Sequence, residues 1–512
     1  MLTLFFRPGL SAFLAGAVVL FIELAGSKLL AAVFGSSLYV WSALITITLL
    51  SLAIGAWTGG WFADRWTQSH TLTFLWFGAS LTMGLVAPLR QLVFPLTGQM
   101  DLRLGVLLCS LVLFFLPLAF LAAIPPVLVK QLDPPRDNLG RIVGKISSIG
   151  TAGSCFGAII TGFYLVPNFS LTRLFLYFSF FLALGGISTL WKGGKKIPLV
   201  LLLIAWSGCL LLFSPERNLD LLGNRTATTT LEIRQSLYGQ LQVLENESRR
   251  LFFLDGIFQG GISASSGLSL TEYTATMEIL GLSAFPSAKK ILVVGLGSGV
   301  IPSDFQKKGL QVDSVEINPQ VIQLCQKWFD LKLPIGRIHE QDGRQFIKQT
   351  NENFDLVFLD AFSGEEIPAH LLTLEAFQEI HSKLSKNGAL LINYVGFETG
   401  PSAKVLSTLA ATLRQVFPSV DLFLSGEKDR LSNFIITARM QDGPWTPTDD
   451  IPWEQDKTVA YKEIMANRFE PGKPYAFLFT DDYCPLEWLD RQTRFQWRTK
   501  CIALMQMNET GI

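Results

Sequence analysis

Long apolar stretches fill the first part of the chain and give way to shorter alternating patterns after about residue 215. A bilayer core takes roughly 20 mostly apolar residues per helix, and seven stretches come close to or exceed that length. These stretches are 9–34, 38–63, 71–96, 104–129, 146–167, 171–191 and 197–214. The first is too long, and is followed by too many others, to be a removable signal peptide. The pattern predicts a multi-span α-helical membrane domain of about seven helices over residues 1–214.

Polar and apolar residues alternate from 226 to 258, in runs such as TTTLEIRQ, GQLQVLE and RRLFFLDG that are rich in strand-favouring types. A turn at 245–247 separates two of these runs. Alternation with a period of two is typical of half-buried strands. We expect a small antiparallel β region over residues 215–262.

Strands and helices then alternate along the chain, which predicts a parallel sheet with helices on both faces. The predicted strands are 291–294, 311–317, 355–360 and 388–395, and the predicted helices are 271–284, 301–308, 318–329 and 374–385. The third domain, residues 263–512, is therefore expected to be a Rossmann-like α/β domain.

The formal net charge of zero conceals two oppositely charged parts. Up to Pro215 the chain has 13 Lys and Arg against 5 Asp and Glu, and from Glu216 onward it has 29 against 37. An acidic soluble domain argues against nucleic acid as a partner and favours a cationic substrate. The partners expected from composition are thus a lipid bilayer and a small cationic substrate, and a homo-oligomer is left open.

Lys and Arg are concentrated in the loops after the second, fourth and sixth stretches, which places the N-terminus in the cytoplasm by the positive-inside rule. An odd number of spans would then put the catalytic domain outside. We nevertheless expect that domain in the cytoplasm, in an inner or plasma membrane protein, because its site favours a cytoplasmic nucleoside. Either one stretch then does not cross, 197–214 or the glycine-rich 146–167, or the positive-inside rule does not hold for this chain.

Three strand ends carry the candidate chemistry, since ligands of such sheets bind beyond the carboxyl ends of the strands. The first is the loop Gly295-Leu296-Gly297-Ser298-Gly299, and the second is Glu316, 21 residues after Gly295. An acid at this spacing can accept both ribose hydroxyls. The third is Asp342-Gly343 together with Asp360. Each acid alone could be a helix cap, but the set with the loop favours a nucleoside site.

Phosphates and metals fit the sequence less well. The glycine loop lacks a Walker Lys-Ser/Thr, and its third glycine follows the second by two residues rather than three. The six cysteines are scattered without a CxxC pair or a His/Cys cluster of metal-ligand spacing, so no metal site is expected.

The runs LDGIFQ (254–259), VVGLGSG, VEINP, QDGRQF and DLVFLDAF, with a Tyr at 273, resemble the spermidine synthases, or polyamine aminopropyltransferases. The runs GSSLYVW, GAWTGGWFADR and TDDYCPLEWL resemble the membrane-fused branch of that family. The likeness is strong from about 236 to 400 and looser elsewhere. It implies a class I methyltransferase-type fold and transfer of an aminopropyl group from decarboxylated S-adenosylmethionine to an amine such as putrescine, with release of methylthioadenosine.

The resemblance also implies roles for individual residues. Asp360 would be the base that orients the amine, with Tyr273 beside it as a second catalytic residue. Donor binding would fall to the glycine loop with Ser298 and to the remaining positions that match the motifs: Gln259, Gly295, Gly297, Gly299, Glu316 for the ribose, and Asp342 with Gly343 for the adenine.

Three positions on the amine side depart from the family pattern. Ser298 replaces the Asp of the usual GGGDG loop, Ser363 follows Asp360 where soluble members have a second acid, and Gly239 replaces a Gln after Tyr238. We expect Tyr238, Ser363 and the pair Asp481-Asp482 to contribute to acceptor binding, with the Asp pair replacing the lost acid.

Two other functions remain open from the sequence. Ser298 in the loop leaves open a second reaction, in which intact S-adenosylmethionine is the substrate of a lyase, cyclase or methyltransferase. Alternatively the domain binds a nucleoside without turnover, as part of a transporter or sensor.

Overall fold

The computed structural model describes most of the chain and divides it into two compact units, one helical and one that holds the two β-sheets. The described residues are 8–34, 38–98, 100–191, 229–246, 248–332, 334, 336–362, 364, 367–428, 430–443, 445 and 455–510.

The helical unit contains helices that are long and apolar enough to cross a bilayer. Its main helices are Pro8–Phe34, Leu38–Arg65, Gln68–Thr97, Leu102–Ala122, Ile124–Leu132, Leu139–Ile160 and Leu171–Trp191. Within the described residues six candidate spans result, because the fourth and fifth helices follow one another in a single span, Arg103–Leu132. The first six predicted stretches each match a span, and the predicted stretch 197–214 lies outside the described residues.

Small residues let two of these helices approach closely. A Cβ added at Gly153 would lie 2.0 Å from the carbonyl oxygen of Phe13, and one at Gly157 would lie 2.3 Å from that of Ala17. Helices in lipid gain their packing energy from such close backbone contact. Two glycines of the fifth stretch, Gly153 and Gly157, are thus explained by packing on the Pro8–Phe34 helix.

The outer surface of the helical unit is apolar, with large side chains such as Leu49, Trp57 and Phe163 exposed by 61%, 75% and 80%. Its interior buries Trp76 and Phe114, and Ser80 and Ser179 exchange hydroxyl-to-carbonyl hydrogen bonds of 2.7 Å between two helices. An apolar outer surface with hydrogen-bonded polar groups in the interior suits a lipid environment.

A four-stranded antiparallel sheet, in the order β1-β2-β3-β4, comes first in the second unit. Its strands are β1 (Thr229–Ser236), β2 (Gly239–Glu245), β3 (Arg249–Leu254) and β4 (Ile257–Ser263). Strand β4 was not predicted, because its two glycines and its serine hide the alternation. It carries Gln259.

An eight-stranded mixed sheet forms the rest of the unit, in the order β12-β10-β11-β9-β8-β5-β6-β7. Its strands are β5 (Lys290–Val294), β6 (Gln311–Glu316), β7 (Gly336–Glu340), β8 (Phe354–Leu359), β9 (Leu384–Gly396), β10 (Ser419–Ser425), β11 (Ser432–Arg439) and β12 (Arg468–Phe469). Strands β5 to β9 are parallel, and β10, β11 and β12 pair antiparallel at one side. This Rossmann-like, methyltransferase-type sheet agrees with the predicted fold class.

Helices connect and cover these strands. They are Glu272–Ala284, Val300–Lys307, Pro319–Trp328, Gly343–Gln349, Leu374–His381, Gly400–Leu413, Gln455–Ala466, Leu486–Leu489 and Arg491–Thr510.

The structure corrects the sequence-based description in two respects. The sheet is mixed rather than wholly parallel, because β11 pairs antiparallel with both β9 and β10, and β12 pairs antiparallel with β10. Strands β7, β10, β11 and β12 were not predicted. The helix expected at 374–385 ends at His381, and β9 already begins at Leu384, because Leu384 pairs with Phe354 of β8.

Candidate functional site

Asp360 directly follows β8 at the carboxyl edge of the large sheet and is buried, with 9% exposure. Its Oδ2 accepts a hydrogen bond of 3.1 Å from the hydroxyl of Tyr273, at the start of the Glu272–Ala284 helix. Its Oδ1 accepts one of 2.8 Å from Nδ2 of Asn393 on β9. The two residues assigned to catalysis are therefore in direct contact, and both oxygens of the carboxylate are held in place.

Asn393 was missed in the sequence, although it is the second partner of Asp360. Its Oδ1 accepts a hydrogen bond of 2.9 Å from Nδ2 of Asn433 on β11. Because β9 and β11 pair antiparallel, they bring these two amides to the same edge. The only sequence signal was a polar residue inside the apolar run ALLINYV, which marks a buried amide that needs a partner.

Burial raises the pKa of Asp360 to about 6, against the lowering effect of the hydrogen bonds from Asn393 and Tyr273. Burial also raises the pKa of Tyr273, and the nearby charge of Asp360 raises it further. A carboxyl group that titrates close to neutrality is a more effective proton acceptor than an ordinary one. Tyr273 remains a hydrogen-bond donor throughout the physiological range.

The glycine loop lies between β5 and the Val300–Lys307 helix. Gly295, Gly297 and Gly299 have φ values of +91°, +52° and +77°, which favour glycine. A Cβ at Gly295 would lie 2.3 Å from the backbone oxygen of Asp360. The loop can thus pass directly beside Asp360 only because residue 295 is glycine. Ser298 is buried within the same loop, with 7% exposure.

Glu316 ends β6, next to β5, and its side chain is bound to the glycine loop. Its Oε2 accepts a hydrogen bond of 3.1 Å from the N–H of Leu296, and its Oε1 accepts one of 2.8 Å from the N–H of Asn318. Burial raises the pKa of Glu316, and these backbone donors lower it. A carboxylate has about four lone-pair sites, so Glu316 keeps acceptor capacity for a ribose hydroxyl beside these backbone donors.

Asp342 caps the Gly343–Gln349 helix, its Oδ1 accepting a hydrogen bond of 2.9 Å from the N–H of Gln345. Its Oδ2 lies 3.1 Å from Nε2 of His370. A Cβ at Gly343 would lie 2.4 Å from a methyl group of Val294, so this glycine lets the helix start pack on β5. Asp342 therefore has a structural role as a helix cap, which is compatible with adenine binding.

A cavity of about 240 Å³ opens beside the Asp360 cluster. Gln259, Tyr273, Asn393 and Asn433 line it, together with Trp497 and Lys500 of the Arg491–Thr510 helix. Gln259 is fixed by a hydrogen bond of 2.9 Å from its Nε2 to the carbonyl oxygen of Gly364. The contribution of the Arg491–Thr510 helix was not predicted, because its charged and amide-rich sequence shows no clear apolar face.

The residues expected to bind the acceptor are not gathered at this cavity in the described part of the chain. Both carboxylate oxygens of Asp481 accept hydrogen bonds from Arg344, at 2.6 and 2.7 Å, and Thr373 donates another of 2.7 Å. Arg344 and Thr373 hold the pKa of Asp481 down to about 2. Neither Asp481 nor the exposed Asp482 is among the described residues that line the cavity. Asp481 thus has a structural role that the sequence did not reveal.

The other two residues expected to bind the acceptor are Tyr238 and Ser363. Tyr238 lies in the turn between β1 and β2, where its N–H donates to the hydroxyl of Ser236 at 3.2 Å. Ser363 lies outside the described residues, as do the neighbouring Glu365 and Glu366.

The large sheet thus has a glycine loop after β5, an acid at the end of β6 and a buried carboxylate directly after β8. The family described as "Spermine/spermidine synthase domain" matches residues 270–442. Within this chain, residues 270–442 are therefore similar to that family.

Several individual proteins are similar to parts of this chain. A polyamine aminopropyltransferase of Vibrio vulnificus (strain CMCP6) is 35% identical over 147 residues, 28% of this chain and 48% of that protein. Polyamine aminopropyltransferase 1 of Aquifex aeolicus (strain VF5) is 26% identical over 212 residues, 39% of this chain and 72% of that protein. The chain thus spans about half the length of the first relative. A probable spermidine synthase of Corynebacterium glutamicum ATCC 13032 has a TM-score of 0.39 and 17% identity, covering 53% of this chain and 94% of that structure.

Proposed function

We propose that the protein is a membrane-bound aminopropyltransferase, which uses decarboxylated S-adenosylmethionine to alkylate an amine and releases methylthioadenosine. The observation that carries the proposal is the buried Asp360 carboxylate, held between Tyr273 and Asn393 next to the glycine loop. The curated relatives named as polyamine aminopropyltransferases support it.

The chemistry follows from the placement of Asp360. An amine attacks only when it is deprotonated, and a carboxylate can both hold an ammonium group and take its proton. The nitrogen lone pair forms a bond to the carbon next to the sulfonium, and the C–S bond breaks with its electrons on sulfur. The product nitrogen gives up a proton, which Asp360 accepts. Because the leaving thioether is neutral, the protein contributes mainly alignment of the attack.

Donor binding is assigned to the residues of the neighbouring loops. Glu316 has lone pairs left for the ribose hydroxyls, and the glycine loop offers the close backbone approach that a nucleoside needs. Asp342 with Gly343 borders the same edge and would meet the adenine. Gln259 and Ser298 would complete the donor pocket.

We also propose that the six described apolar helices cross an inner or plasma membrane, with the catalytic domain in the cytoplasm. The apolar outer surface of the helical unit supports the membrane location. Labelling of an engineered single cysteine in the catalytic domain, from either side of sealed vesicles, tests the orientation.

Product analysis of the purified full-length protein tests the reaction. S-adenosylmethionine and its decarboxylated form are offered in parallel, with and without an amine, and nucleoside products are identified by mass spectrometry. Methylthioadenosine should form from the decarboxylated donor only when an amine is present. Release without an amine would indicate cleavage or cyclisation instead, and S-adenosylhomocysteine would indicate methyl transfer.

A further inference from the structure

The cavity beside Asp360 is where the rest of an acceptor must lie once its amine is on the carboxylate. Tyr273 and Asn393, which hold Asp360, both line this cavity of about 240 Å³. The far end of an acceptor whose amine is bound to Asp360 therefore lies in this cavity.

The polar groups of that space suit a second ammonium poorly. A diamine would carry a positive charge at its far end, and a neighbouring carboxylate would stabilise this charge. No described residue that lines the cavity is an acid. Asn393 already uses its amide on Asp360 and Asn433, and Gln259 uses its amide nitrogen on the backbone of Gly364.

The charged side chain that lines the cavity is a lysine, Lys500, rather than a carboxylate. Lys500 is an exposed residue that lines the cavity from the Arg491–Thr510 helix, and its Nζ donates a long hydrogen bond of 3.4 Å to the carbonyl oxygen of Leu431. Among the described residues no carboxylate forms an ion pair with it. A second ammonium in the same small cavity would be repelled by this charge, whereas an anion would be attracted.

The helix that carries Lys500 is held against the domain. Thr493, Arg494 and Arg498 are at most 6% exposed, and Trp497 makes an edge-to-face contact with Phe362 at 5.4 Å between ring centroids. Trp497 and Lys500 are three residues apart and so lie on the same face of the helix. The position of Lys500 at the cavity therefore follows from a packed helix face.

We propose that the acceptor is a primary amine with an anionic far end, of the ω-amino acid type, and that Lys500 determines this specificity. The proposal rests on the proposed function, since it names the acceptor class of the same site. The amine meets Asp360 and the opposite carboxylate meets Lys500.

Two acceptors of equal length test it: 4-aminobutanoate and 1,4-diaminobutane, with the full-length protein and decarboxylated S-adenosylmethionine. We expect kcat/KM for methylthioadenosine release to be at least tenfold higher with 4-aminobutanoate. Lys500→Glu should reverse the ratio, and Lys500→Met, which removes the charge and keeps the length, should bring it close to one. Lys462→Glu, the same charge change at an exposed position that does not line the cavity, should leave the ratio unchanged.

Calorimetric binding of both acceptors in the presence of methylthioadenosine separates this proposal from the proposed function. If no amine leads to release of methylthioadenosine, the proposed aminopropyltransferase function is wrong. The binding preference between the two acceptors still tests the role of Lys500 in that case. Stronger use or binding of 1,4-diaminobutane by the unaltered protein would overturn the proposal. So would a ratio that is the same in Lys500→Glu and Lys500→Met as in the unaltered protein.

Discussion

Asn393 and Asp360 are 33 residues apart in the chain, and Nδ2 of Asn393 donates a hydrogen bond of 2.8 Å to Oδ1 of Asp360. Because Asn433 donates to the carbonyl oxygen of the same amide, the NH₂ group of Asn393 must face the carboxylate. The ionised form of Asp360 is thereby stabilised against the effect of its burial, which otherwise raises its pKa.

Replacing Asp360 with Asn should lower kcat/KM for methylthioadenosine release at least hundredfold. The amide has the same shape but cannot accept the proton of the attacking amine. Asp304→Asn is the matched control, because Asp304 lies on the Val300–Lys307 helix and pairs with Lys307 instead. Undiminished turnover in Asp360→Asn would show that Asp360 is not the base.

The acid limb of the pH-rate profile should lie near pH 6, the pKa of Asp360. Asn393→Ala removes a hydrogen bond that lowers this pKa, so the limb should move to higher pH by about one unit. The loss of rate should then be larger at pH 6 than at pH 8.5. A limb that stays in place would mean that another group titrates.

Substitution of Gly295 by Ala should abolish donor binding, since the added Cβ would lie 2.3 Å from the backbone oxygen of Asp360. Gly309→Ala is the control. Gly309 also has a positive φ, of +80°, but a Cβ there meets nothing within 4 Å. Both variants share the backbone strain of about 1–2 kcal/mol, and only Gly295→Ala adds the clash. Methylthioadenosine binding by calorimetry distinguishes them, and equal binding would contradict the close packing of loop and base.

Asp481→Asn should lower stability without changing acceptor preference, because Asp481 is bound to Arg344 and Thr373. The lost charge-assisted hydrogen bonds are worth roughly 1.5–3 kcal/mol. The pKa of Asp481 is lowered to about 2 from 3.8, so its contribution is present above pH 4 and is lost as pH falls towards 2. Thermal unfolding at pH 7 and pH 3 measures this. A change in the ratio of kcat/KM between two amines would instead show that Asp481 contributes to acceptor binding.

The sequence by itself identified the chemistry that lies at strand ends. The glycine loop and Asp360 directly follow a strand, Glu316 ends one, and Asp342 lies two residues after one. Alternating strands and helices place such positions at one edge of a parallel sheet. The apolar stretches likewise marked the helices that the structure describes, because a span is encoded by continuous local composition.

Only the tertiary structure decided what surrounds Asp360. Asn393 and Asn433 meet through the antiparallel pairing of β9 and β11, and Lys500 reaches the cavity from a helix far along the chain. Asp481, which we expected to replace the lost acid of the acceptor site, is bound to Arg344. Spacing along a chain fixes where a strand ends, but contacts between distant elements depend on pairing register and packing, which no local pattern encodes.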